Sequence, residues 1–143
     1  MRKLLFSTIL AAMAAAPAVA QDDNSLVTVV TSENPQTQLM AMVLSAQAAE
    51  QGRSVRMLLC GPGGDLALQD APESATAPQP PRDMSPQGLM RMLIERGARV
   101  EVCAIYLPGR GADPSVLIEG VGVAQPPEMA GALLADGTVV WSF

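Results

Sequence analysis

The chain has 143 residues, a formal net charge of −5, no histidine and a single lysine, Lys3. Without histidine there is no Ser-His-Asp or Cys-His catalysis and no histidine-ligated metal site, and beyond Lys3 there is neither a Schiff-base lysine nor a P-loop lysine. The acidic balance argues against nucleic acid as a partner, because no basic face is available to neutralise phosphates.

Arg2 and Lys3 precede an apolar run over residues 4–16, and Ala18-Val19-Ala20 follows it. Positive charge, apolar run and small-residue cleavage site, in that order, read as a signal peptide over 1–20 cleaved near Ala20. The run is too short for a stable bilayer anchor, and no later stretch reaches spanning length. The expected mature chain is periplasmic and soluble, with no membrane span. It leaves about 120 residues, enough for one domain over 21–143 with one core.

Residues 26–31 (LVTVVT) are apolar and β-branched, which predicts a strand buried on both faces. Asn34-Pro35 is an N-cap and N1 pair. It opens a helix with Leu39, Met42, Val43, Ala46 and Ala49 at helical spacing, stopped by Gly52. Residues 54–59 (SVRMLL) predict a second strand, parallel to the first across the helical crossover. Cys60-Gly61-Pro62-Gly63-Gly64-Asp65 comes next, with Asp65 as a cap for a short helix over 66–69. Residues 70–83, with Pro72, Pro78, Pro80 and Pro81, lack apolar periodicity and read as a long mobile loop. Ser85-Pro86 starts a helix to about Arg96 whose core face is Leu89, Met92, Leu93 and Arg96. A third strand is predicted over 98–106, a turn at 107–111, a short helix at 114–119 and a strand at 120–124. A helix from Pro126 to Ala135 and a last strand over 138–142 complete the chain. The alternation predicts a three-layer α/β/α sandwich around a parallel sheet of about five strands.

Open parallel sheets bind and react at the carboxyl ends of their strands. Asn34, the Cys60–Asp65 loop and the segment from Cys103 to Gly111 fall at that edge, so both cysteines lie there. Candidate binding positions are Asn34, Cys60, Gly61, Gly63 and Gly64. The glycine-rich loop has two readings, an anion cradle of backbone N–H groups or a tight turn. Cys103 also has two readings, a reactive thiol or a small buried hydrophobe. With neither histidine nor lysine nearby, its activation must come from backbone N–H groups or from Arg110, seven residues on. Met40 with Met42 and Met90 with Met92 form M-x-M pairs, which at helical spacing point to different faces and indicate packing rather than a copper site. Glu101 alternates with Val100 and Val102, so it points away from their packed face. No metal and no cofactor are expected.

The segment VEVCAIYLPGRGADPSVL resembles the part of DsrE-like proteins in which a strand ends in a cysteine, followed by an alanine-containing stretch and Arg-Gly. The opening strand, the helix of small residues, the glycine-rich turn, the long loop and a final strand ending in an aromatic residue come in the same order. The resemblance to this DsrE/DsrF-like, YchN-like family covers nearly all of 26–143. It implies a five-stranded parallel sheet in the order 4-3-2-1-5 and a homo-oligomer, trimeric or hexameric. It also implies a sulfur carrier whose cysteine, at the position of Cys103, takes sulfane sulfur as a persulfide from a donor protein and passes it to an acceptor. Three features depart from the family pattern: the export signal, the Pro108-Gly109 turn where relay members continue helically, and the additional Cys60.

Cys60 and Cys103 allow a further outcome. Adjacent strand axes lie about 4.8 Å apart, so if the second and third strands are neighbours the two cysteines come within disulfide reach. The other common sheet order interposes a strand and forbids the bond. Three functional readings are open: a sulfur carrier through Cys103, a non-catalytic binding or structural module, and a Cys60/Cys103 thiol–disulfide couple.

Overall fold

Leu26, Val27, Val29 and Val30 put branched side chains on both faces of one segment, and it forms β1 (Ser25–Val30) at an interior position of the sheet. The computed structural model describes residues 24–143, so the reading of 1–20 as a leader lies outside the described residues. The next elements are α1 (Pro35–Glu50), β2 (Ser54–Leu59), a 3-10 helix (Gly61–Ala67), α2 (Glu73–Thr76), α3 (Pro86–Glu95) and β3 (Arg99–Val102). After them come α4 (Tyr106–Arg110), a 3-10 turn (Pro114–Val116), β4 (Val121–Val123), α5 (Pro126–Leu134) and β5 (Val139–Ser142). Five strands pair in the order β4-β3-β2-β1-β5, and every pairing is parallel. This is the expected order and a three-layer α/β arrangement.

One sheet face carries Leu26, Val30, Met57, Leu59, Val100 and Val102, all at most 1% exposed, and packs against α1 and α3. Burying each such side chain contributes roughly 1.5–3 kcal/mol. Thr28 and Ser45 meet between β1 and α1 as a buried hydroxyl pair at 2.8 Å, so neither oxygen is left unpaired. The face of α3 is rotated from its expected position. Leu89, Met90 and Leu93 are buried, whereas Met92 is exposed and Arg96 reaches Glu50 at 3.6 Å. The i, i+1, i+4 spacing of the buried set places Met90 inward, and each M-x-M pair is split between core and solvent: Met42 and Met90 buried, Met40 and Met92 exposed.

The second face is covered by α5 through Val27, Ala124 and Met129. Glu101 does lie opposite Val100 and Val102, yet it is only 3% exposed rather than solvated. Its two oxygens accept from Arg56 Nε at 2.7 Å and from Arg99 Nη2 at 2.8 Å, the pairing that a buried carboxylate requires. Arg99 Nη1 continues to Glu128 on α5, which binds the helix to the sheet. The Arg99 hydrogen bond, set against slight desolvation, holds the Glu128 carboxyl below its usual range and raises the guanidinium's own value. Residues 70–83 differ from a featureless loop. They include α2 with Ala75 buried, and Gln79 bridges to Met84.

Candidate active site at the carboxyl edge of the sheet

The pairing of β2 with β3 sets Leu59 opposite Val102, so the next residues of each strand, Cys60 and Cys103, lie side by side. The ladder runs one rung further. Cys60 N–H donates to Val30 O at 2.9 Å, and Cys103 N–H donates to Leu59 O at 2.9 Å. The Cα atoms are 5.2 Å apart, inside the range a disulfide needs, and the sulfurs are bonded. Among the described residues there is no free cysteine. Both cysteines are half-buried, and Cys103 packs against the main core.

The chain leaves the two cysteines by different routes. Beyond Cys60 it enters the 3-10 helix, with Gly61 in the left-handed region at φ 51°. A Cβ at Gly63 would run into the Val30 carbonyl, and one at Gly64 into the Tyr106 ring. Close packing therefore explains these glycines, and the Gly63 N–H is already spent on Cys60 O at 3.0 Å. Asp65 does not cap a helix over 66–69; it sits inside the 3-10 turn with its carboxylate turned to the neighbouring segment. Asn34 caps α1, its Oδ1 accepting from Gln36 N and Thr37 N at 3.0 Å each.

Beyond Cys103 the backbone turns, Tyr106 N–H donating to Cys103 O at 2.9 Å, and enters α4. Leu107-Pro108-Gly109-Arg110 is therefore helical, not the open turn expected from Pro108-Gly109, because proline is tolerated in a first helical turn. Tyr106, 8% exposed, donates its hydroxyl to Asp65 Oδ1 at 2.6 Å. Arg110 Nη1 donates to the same oxygen at 2.8 Å, and its guanidinium stacks 5.4 Å from the Tyr106 ring centroid. Burial, then the bond to Asp65, pushes the Tyr106 phenol well above its usual 10.0, so it remains a donor through the physiological range. Arg110, expected as a thiolate partner, is thus paired with Asp65. It also borders an open cleft of about 420 Å3 with Gln69, Asp70 and Ser115. Ile105, two residues past Cys103, is 80% exposed.

The structure brings Cys60, Cys103, Gly61, Gly63, Gly64 and Arg110 to one edge and leaves Asn34 in a capping role there. Sequence reasoning missed Tyr106 and the part played by Asp65. The available signal was the only tyrosine of the chain three residues after Cys103, matched by a Gly-Gly step that strips side chains from the facing loop. Chemically, the edge offers an electrophilic disulfide, and thiol–disulfide exchange needs no general base, since the attacking thiolate supplies the electron pair.

The model of the DsrE/DsrF-like family matches residues 24–141. No curated protein matches the chain. Among solved structures, the chain is similar to the ychN protein from E. coli, at 21% identity and a TM-score of 0.60 over 83% of this chain and 99% of that one. It is likewise similar to a protein of unknown function from Methanobacterium thermoautotrophicum, at 15% identity and a TM-score of 0.60 with the same coverage. At these identities the two structures establish the shared fold alone.

Proposed function

The chain belongs to the DsrE/DsrF-like family, and on that premise we propose that it handles reduced sulfur in the periplasm through the Cys60–Cys103 pair, with Cys103 as the sulfur acceptor. The observation that carries this reading is the disulfide itself, set at the carboxyl edge where parallel sheets do their chemistry. Hydrosulfide attacks the Cys103 sulfur. A new S–S bond forms, the Cys60–Cys103 bond breaks, and Cys60 leaves as a thiolate that takes up a proton. The product is a Cys103 persulfide, and this step consumes no external oxidant because the disulfide already holds the oxidising equivalents. An acceptor thiolate then takes the outer sulfur and frees Cys103 as a thiolate; an exported disulfide oxidant recloses the pair.

Three further features support the reading. The leader-like segment 1–20 directs the chain to a compartment that permits disulfides. Exposed Ile105 beside Cys103 offers an apolar contact for a donor or acceptor protein. Leu134 and Val140, exposed where α5 leaves the second sheet face partly open, suit the homo-oligomer, trimeric or hexameric, that the family resemblance implies. Intact-mass analysis of the oxidised protein after incubation with sodium sulfide tests the proposal. It should gain one sulfur atom on Cys103 and one alkylatable thiol at Cys60. Opening by dithiothreitol with no sulfur addition under sulfide would sink it.

A second reading, a non-catalytic structural or binding module with the disulfide as a permanent staple, is favoured by the position of the bond between adjacent parallel strands. A reduction potential below about −300 mV would support it.

A further inference from the structure

We propose that Asp65 is a positioning residue for the cysteine pair: by gripping Tyr106 and Arg110 it holds the segments beyond Cys60 and Cys103 together and so favours the closed disulfide. The inference rests on Cys60 and Cys103 forming a pair that opens and closes. Its ground is that two links join these segments close to the cysteines, ahead of the backbone bridge that Leu68 and Gln69 make to Val116 and Leu117. The covalent link joins Cys60 to Cys103. The non-covalent one joins Asp65, in the 3-10 helix after Cys60, to Tyr106 at 2.6 Å and Arg110 at 2.8 Å, in the helix after Cys103.

The strand ladder fixes the two cysteine backbones but not the segments beyond them. The last ladder bonds are the N–H groups of Cys60 and Cys103 themselves. From there one chain enters a 3-10 helix and the other an α-helix, and backbone bonds between the two segments resume only at Ala67 O with Ile118 N and Gln69 N with Val116 O. Nearer the cysteines, Asp65 supplies the polar tie between them. One carboxylate oxygen receives a phenol and a guanidinium, charge-assisted bonds of the stronger kind. The guanidinium also stacks on the phenol ring, and Gly64 presents no side chain to that ring, so the contact is close. Two links between the same pair of segments are thermodynamically coupled: each raises the effective concentration at which the other forms. Loosening the Asp65 link must lower the tendency of the thiols to close. The phenol remains protonated through the physiological range, so the grip does not lapse with modest changes of pH.

The reaction read in the test is the exchange of the Cys60–Cys103 bond with dithiothreitol, which gives two electrons and two protons and departs as its cyclic disulfide. The full chain is equilibrated in buffers of varied reduced-to-oxidised dithiothreitol, quenched with an alkylating agent and counted by mass. For Asp65→Ala the oxidised-to-reduced ratio at a fixed buffer should fall about tenfold, a rise of about 30 mV in midpoint potential. Tyr106→Phe, which keeps the ring over Gly64 and removes only the hydroxyl bond, should give a smaller fall of about threefold by the same relation. Glu128→Gln, on the opposite sheet face, should leave the midpoint in place, which separates positioning from general loosening. Wild-type midpoints for both Asp65→Ala and Tyr106→Phe overturn the proposal. If Asp65→Ala does not fold, Tyr106→Phe decides alone. The sulfide experiment is independent. Sulfur addition with wild-type midpoints in both variants removes this inference and keeps the functional reading; a midpoint shift without sulfur addition does the reverse.

Discussion

Breaking the disulfide should cost the folded protein about 4 kcal/mol. The bond closes a loop across a sequence separation of 43 residues. In the chain-entropy treatment that closure removes about 13 cal/mol/K from the unfolded ensemble, or about 4 kcal/mol at 25 °C. A domain of about 120 residues has roughly 6–18 kcal/mol in all, so the reduced protein should be folded but clearly weaker. That margin matters, because a pair that cycles must leave a folded molecule when open. Equilibrium urea unfolding with and without dithiothreitol, followed by Trp141 fluorescence and far-ultraviolet dichroism, gives the difference directly. With a urea slope of about 1.5 kcal/mol/M, the midpoint should move by about 2–3 M. A Cys60→Ala/Cys103→Ala double variant, measured without reductant, should match the reduced wild type. A difference under about 1 kcal/mol would refute the reasoning, since it would mean that the unfolded chain already keeps residues 60 and 103 close without the bond.

Gly63→Ala should destabilise by about 3 kcal/mol or more in the same assay, because the new methyl meets the Val30 backbone carbonyl, which cannot swing aside. Ser45→Ala should cost about 1–3 kcal/mol by orphaning the buried Thr28 hydroxyl, and adding Thr28→Val should recover much of that loss in a double-mutant cycle. The Glu128 carboxyl is held below its ordinary 4.5 by Arg99, so its share of stability is present above the unfolded value and is lost as pH falls through the lower folded one. Urea midpoints measured from about pH 5 down to about pH 3 should therefore decline less steeply for Glu128→Gln than for wild type.

The sheet was legible because its signals are local and redundant. Residues 26–31 are too apolar for a one-sided strand, residues 54–59 read as a second strand, and Asn34-Pro35 and Ser85-Pro86 mark helix starts that the structure keeps, with Asn34 and Ser85 both capping through their side chains. Strand order was a matter of resemblance, since no residue of an interior parallel strand states its neighbour. The disulfide depends on that order, and the pairing of β2 with β3 is what decides it. Met90 and Met92 exchange their expected places because α3 is short and both spacings fit an apolar stripe; packing beneath α1 chooses between them. Glu101 looks like a solvated residue in the sequence because its partners, Arg56 and Arg99, come from the neighbouring strand and from two positions earlier in its own. Asp65 was hardest of all. Its meaning lies in Tyr106 and Arg110, more than forty residues away in sequence, and no local pattern carries that pairing.

The bond between Cys60 and Cys103 also gives the molecule a covalent shape that differs from its fold. As a bonded object the chain is a ring with two tails. The ring holds the 3-10 helix, α2, α3 and β3; the tails hold β1, α1 and β2 on one side and α4, β4, α5 and β5 on the other. A protease that cuts in the exposed stretch around Arg82 would open the ring yet release nothing, and the two pieces would travel as one mass until a reductant parted them. A cut in a tail would instead leave a fragment held only by non-covalent contacts. The edge strand β5 is the clearest instance, because it is joined to the sheet through β1 alone, and β1 belongs to the opposite tail.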